Sequence, residues 1–158
     1  PGRTIKHVYY KFRRWIDVIS FLSAGLLMSM GDLLVNMLYS GAYQQAGYML
    51  QILAVSMAGI GYKLADQFLV AVGDIKSVSL LTGGQGVFST LIIYFALTKI
   101  GFIAGLWAIG LSFFPYVIGS WYVLRRHDFL DVRREITYLP IMFVAYIVGS
   151  VLNTYIVQ

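Results

Sequence analysis

The sequence of 158 residues has no cysteine, three prolines and two histidines. Without thiols there can be no disulfide framework and no thiolate metal site. Charge is scarce as well. Only 12% of residues are Asp, Glu, Lys or Arg, about half the share of a soluble domain. The histidines, His7 and His127, stand in basic segments, and no H-E-x-x-H, G-x-S-x-G or phosphate-loop motif occurs. Nothing argues for an enzyme, and no metal or cofactor is expected. His127, Asp128 and Asp131 stand among four arginines and read as a solvated face.

What fills the space is apolar: 59% of residues are hydrophobic. They gather in five stretches at about 15–38, 47–72, 76–98, 102–124 and 136–157. A helix needs about 20 residues to cross about 30 Å of hydrocarbon, and each stretch is long enough. The expected fold is all-α, a polytopic membrane helix bundle with five transmembrane helices in one domain spanning 1–158. The first run is too long for a signal peptide and four more follow it.

The twelve Lys and Arg set the orientation. Arg3, Lys6, Lys11, Arg13 and Arg14 precede the first span. Lys76 follows the second, and Arg125, Arg126, Arg133 and Arg134 follow the fourth. The opposite side receives Lys99, and Lys63 falls within the second span. This bias predicts a multi-pass protein with segment 1–14 and loop 125–135 in the cytoplasm. The net charge of +5 therefore reflects topology and anionic lipid headgroups, not a nucleic-acid partner.

Aromatic residues, among them Tyr9, Tyr10, Trp15 and Tyr138 on one side and Tyr39, Tyr43 and Tyr155 on the other, are expected to form interfacial belts. Gly41 and Gly47 are expected to serve the turn between the first two spans. Pro115 should kink the fourth span, as a hinge or as a packing feature. Pro140 falls in the first turn of the fifth, where proline is tolerated. Gly101 and Gly105 form a G-x-x-x-G suited to close helix packing. The run Thr82-Gly83-Gly84-Gln85-Gly86 lacks the strand and lysine of a phosphate loop and reads as packing or local flexibility.

Three charged side chains are expected at membrane depth: Asp32, Lys63 and Asp66. A charge there is costly and usually faces a bundle interior or a hydrated cavity. At 100° per residue Asp32 aligns with Gly25, Ser29 and Asn36, while Ser56, Gly59, Lys63, Asp66 and Gln67 share another stripe. Cavity-lining candidates are thus Lys63, Asp66, Gln67, Asp32 and Asn36. The plainer alternative is that Lys63 and Asp66 neutralise each other across one helical turn, or that Lys63 snorkels inward.

Residues 37–54 contain Leu38, Tyr39, Tyr43 and Ala46, followed by Met49-Leu50-Gln51-Ile52-Leu53-Ala54. This resembles the polysaccharide and oligosaccharide flippases, the Wzx-type branch of the multidrug/oligosaccharidyl-lipid/polysaccharide exporter superfamily. Ala71-Val72-Gly73-Asp74-Ile75-Lys76, Gly101-Phe102-Ile103-Ala104-Gly105 and Arg125-Arg126-His127 with Glu135 extend the likeness over nearly the whole chain. The resemblance implies a two-lobed exporter of about twelve or more helices, working by alternating access in the bacterial cytoplasmic membrane. The chain would be part of its C-terminal lobe, with the missing N-terminal helices as partner. The implied cargo is a polyprenyl-pyrophosphate-linked oligosaccharide, with Lys63 as this segment's cation for the pyrophosphate.

Two other readings stay open. An ion-coupled drug or small-cation exporter of the same superfamily would depend on Asp32 or Asp66. A non-transporting scaffold would recruit cytoplasmic glycosyltransferases through its basic loops. The start at Pro1-Gly2 and the end at Gln158, at the edge of the fifth span, suggest part of a larger transporter; processing or tagging of the N-terminus is the competing explanation.

Overall fold

The computed structural model describes residues 2–39, 43–132 and 137–157, without the side chains of 2–5, 44 and 157. These residues form helices and turns, with no strand among them. Helix α1 runs Gly2–Leu38 and α2 runs Gln44–Ala54. A 3₁₀ segment, Val55–Lys63, joins α2 to α3, Leu64–Ala71. Helix α4 covers Ile75–Phe95 and closes in a π turn, Ala96–Ile100. Helices α5 (Phe102–Leu111) and α6 (Phe114–Arg126) make up the fourth apolar stretch, and α7 spans Leu139–Val157. Five helical stretches are long and apolar enough to cross a membrane: Lys6–Leu38, Gln45–Ala71, Ile75–Ile100, Phe102–Arg126 and Leu139–Ile156. The chain thus has the make-up of a multi-pass membrane protein.

The spans pack as a row. Helix α7 lies on α1, α1 lies on the second span, and the second span lies on α5 and α6. Helix α4 packs against α5, α6 and α3. In lipid an apolar side chain gains little by exchanging one hydrocarbon neighbour for another, so small residues and polar contacts must hold helices together. Between α1 and α7 they do. A Cβ on Gly25 would run into the Met142 carbonyl and Ala145, and one on Gly149 into Ser29. Asn153 Nδ2 also donates to the Ser29 carbonyl at 3.2 Å.

At the basic end the chain folds back on itself. Gly73 takes φ +82°, and Asp74 caps α4 by accepting from the Ser77 amide at 3.2 Å. Helix α6 ends with Asp128 in the left-handed region, φ 56°, and the Phe129 amide donates to the Leu124 carbonyl at 2.9 Å. Phe129 then stacks on Phe68 with ring centroids 3.9 Å apart.

Several expectations change. Residues 6–14 are helical and continue into the first span as α1, whose 37 residues rise about 55 Å. Tyr9 and Tyr10 are buried in the core. Tyr10 Oη donates to the Phe129 carbonyl at 3.0 Å and accepts from the Asp131 amide at 2.9 Å. The loop after α6 is therefore docked, and the half-buried His127 meets Asp74 with Nε2 3.0 Å from Oδ2. Pro115 does not kink a continuous helix; it sits in the first turn of α6 after a break at Ser112 and Phe113. Gly47 is helical and packed against Asp32 rather than turning the chain. Gly41 and residues 133–136, with Arg133, Arg134, Glu135 and the expected start of the fifth span, lie outside the described residues.

Candidate functional site

The 3₁₀ segment decides which side chains of the second span meet. At three residues per turn each residue advances about 120° rather than 100°, so nine residues shift the phase by about half a turn. The part of the 100° stripe that lies inside this segment, Ser56 and Gly59, is therefore rephased relative to Lys63. Gly59 is buried against Phe113, and Ser56 returns its hydroxyl to the Leu53 carbonyl at 2.7 Å. Lys63 and Asp66 turn toward the third and fourth spans, whereas Gln67 is exposed beside a groove lined by Val8, Tyr9 and Phe12 of α1.

Lys63 and Asp66 do not neutralise each other. Lys63 Nζ donates to Gln85 Oε1 at 2.7 Å and lies 3.8 Å from the centroid of the Tyr116 ring. The Tyr116 hydroxyl, on the far edge of that ring, donates to Asp66 Oδ1 at 2.5 Å. One tyrosine thus faces the cation with its π cloud and the carboxylate with its proton. Gln85 Nε2 makes a long contact, 3.5 Å, to the Ser112 carbonyl. That carbonyl is available because α5 ends at Leu111 and α6 restarts at Phe114. Lys63 is eight residues, about 12 Å, from the end of α3 at Ala71. Tyr116 is buried while Lys63 stays exposed, so the cation remains open to a ligand. Gly83, Gly84 and Gly86 have nothing within 4 Å of a would-be Cβ, so the glycine run packs against no described element. Its contribution to the cluster is Gln85.

A second polar cluster lies between α1 and the second span. Arg13 and Asp17 are 2% and 3% exposed, with Arg13 Nε donating to Asp17 Oδ2 at 3.2 Å. Arg13 NH1 donates to the Tyr9 hydroxyl at 2.6 Å, and its guanidinium lies 4.5 Å from the Tyr62 ring centroid. Asp17 Oδ1 presses on Gly61, where a Cβ would collide with it. Among the described residues Oδ1 finds no donor. Arg13 reads in the sequence as one of five cations ahead of the first span. The available signal is Tyr9, Arg13 and Asp17 at successive four-residue steps, one face of a helix. Asp32 sits near the other end of α1 against Gly47, and Asn36 is exposed. Gly25 and Ser29, expected to continue their stripe, are taken up by α7.

Among the described residues outside the spans, Asp74 is the group with a marked shift. The Ser77 hydroxyl, at 2.7 Å, then His127 and the Ser77 amide hold its carboxyl down to about 2. No protein-family model, curated protein or solved structure matches the chain.

Proposed function

We propose that the chain is part of a flippase that moves a polyprenyl-pyrophosphate-linked oligosaccharide across the bacterial cytoplasmic membrane by alternating access. In this reading it belongs to the C-terminal lobe of a two-lobed exporter, with its basic end in the cytoplasm. The observation that carries the proposal is Lys63: a cation at membrane depth, held over Tyr116 and kept from Asp66, with its charge left for a ligand. A pyrophosphate entering from the basic end needs such a group, because charge-assisted hydrogen bonds offset the desolvation of its oxygens. Gln85 and the half-buried Ser112 carbonyl offer polar partners for sugar hydroxyls beside it. The exposed apolar surface of α4, with Leu80, Val87 and Leu91, offers a route for the polyprenyl tail.

The test is transbilayer movement of a fluorescent polyprenyl-pyrophosphate glycan in proteoliposomes holding the intact gene product. Lys63→Gln should stop movement, Lys63→Arg should retain it, and Asp66→Asn should leave most of it. A drug or small-cation exporter would reverse the dependence, losing activity with Asp66→Asn and tolerating Lys63→Gln. Single cysteines placed at Lys6 and Lys99 in this cysteine-free chain report orientation by impermeant thiol labelling. Labelling of Lys6→Cys from the cytoplasmic side and Lys99→Cys from the outside is expected.

A further inference from the structure

Helices α1 and α7 touch through Gly25, Ser29, Ala145 and Gly149, yet toward the basic end they part. There the structure opens a cavity of about 480 Å³, lined by His7, Lys11, Arg14, Trp15, Tyr138 and the Arg13–Asp17 pair among others. Arg13 is already matched by Asp17, so the uncompensated charge comes from Lys11 and Arg14, with His7 as a further ring nitrogen. All three are exposed, and neither Lys11 nor Arg14 has an ion-pair partner among the described residues. A second cavity, of about 410 Å³, opens between the same two helices deeper in the span. Leu22, Leu26, Ile141, Val144 and Val148 line it.

The two cavities follow one seam. On α1 the residues Lys11, Trp15, Leu22 and Leu26 are spaced four, seven and four apart, which keeps them on one face. On α7, Ile141, Ala145 and Val148 repeat the same kind of spacing, and Tyr138 stands in the turn just before the helix. The seam therefore changes along its length from cationic, through an aromatic collar of Trp15 and Tyr138, to wholly aliphatic. That gradient matches an amphiphile with an anionic head, lying parallel to the helices. Leu22, Val144 and Val148 are exposed, so the aliphatic part opens sideways, where bilayer lipid stands. It is turned about 140° around α1 from Asp17 and the second span, away from the Lys63 cluster.

We infer that the fissure between α1 and α7 binds an anionic phospholipid of the leaflet at the basic end. Its phosphodiester lies against His7, Lys11 and Arg14, and its acyl chains lie along Leu22, Leu26, Val144 and Val148. The inference rests on the membrane placement of α1 and α7 and not on the flippase reading. A basic pocket between spans, joined to an apolar groove, holds a lipid by charge and by chain contact together.

The experiment is native mass spectrometry of the full chain released from phosphatidylcholine nanodiscs doped with phosphatidylglycerol. Phosphatidylglycerol should be retained over phosphatidylcholine. Each basic group is worth about fivefold at an anionic surface, so Lys11→Gln/Arg14→Gln should lower retention by about twenty-five-fold. Lys11→Arg/Arg14→Lys should restore it. Leu22→Trp, which fills the groove without touching charge, should lower retention independently. It also stands as the test if the double variant loses its helical circular-dichroism signal. Equal retention of the two lipids, or undiminished phosphatidylglycerol in Leu22→Trp, overturns the inference. Displacement by millimolar inorganic phosphate overturns it in favour of a soluble anion site. A lipid-free dimer, broken by Leu22→Trp, overturns it in favour of a second copy of the chain. Loss of glycan flipping with lipid retention intact would count against the proposed function alone.

Discussion

Arg13 and Asp17, one helical turn apart on α1, form an ion pair almost wholly buried between the first and second spans. The carboxylate lies against Gly61, only two residues before Lys63, so this pair reaches the depth of the candidate site. A buried pair resists the loss of one member far more than the loss of both, because a single deletion leaves an uncompensated charge.

Arg13→Met or Asp17→Asn alone should therefore cost about 3–5 kcal/mol, read as unfolding in detergent by circular dichroism. The double variant should cost clearly less than the sum. Strict additivity would mean that the two groups do not act as a pair. Gly61→Ala should destabilise to a similar degree, since its new methyl must displace the Asp17 carboxylate.

The contact between α1 and α7 gives a second test that needs no activity assay. A Cβ at Gly149 would lie 3.1 Å from Ser29 Cβ, a little inside the usual disulfide separation of about 3.5–4.5 Å. In this cysteine-free chain the pair Ser29→Cys/Gly149→Cys should oxidise to a single intramolecular disulfide, visible as a gel shift. Adding Gly25→Leu should abolish that shift, because the larger side chain pushes α7 away at Met142 and Ala145.

The five spans were legible because length and hydropathy determine them locally; the observed boundaries at Ala71, Ile75 and Phe102 fall within a few residues of the expected ones. The neighbours of each side chain were not. A wheel of the second span takes 100° per residue, whereas the 3₁₀ segment Val55–Lys63 turns faster, so Ser56 and Gly59 lose the phase it gives them relative to Lys63. Tyr116 and Gln85 carry no charge and gave no signal, although they decide what Lys63 and Asp66 touch. Arg13 was hidden by its company, since five cations before a span look like an orientation signal. Only the fold distinguishes the one drawn inside.

Asp74 links the α4 cap to the end of α6 through Ser77 and His127. Its carboxyl is held at about 2, below the ordinary value near 4. A lowered pKa means that the charged form is favoured in the fold. Its stabilising contribution is complete above the ordinary value and is lost as pH falls toward about 2. Carbon-13 NMR of the labelled carboxylate should show a midpoint near 2. Ser77→Ala removes the leading donor and should move that midpoint upward. An unchanged midpoint in Ser77→Ala would refute the capping origin.

Tyr116 keeps apart two charges that stand three residues apart in sequence, a spacing at which they would otherwise pair. Tyr116→Phe preserves the ring over Lys63 and removes the proton held by Asp66. The freed carboxylate then competes for Lys63 and takes it from Gln85 and from any phosphate. Losing one charge-assisted hydrogen bond to cargo corresponds to about tenfold or more in rate. Glycan movement in proteoliposomes should fall by that factor in Tyr116→Phe. Tyr116→Phe/Asp66→Asn should recover it, because no carboxylate remains to claim the lysine. Recovery separates competition for Lys63 from simple damage to packing, which the second substitution could not repair. A double variant as slow as Tyr116→Phe would show that the hydroxyl acts through the packing of α6 alone.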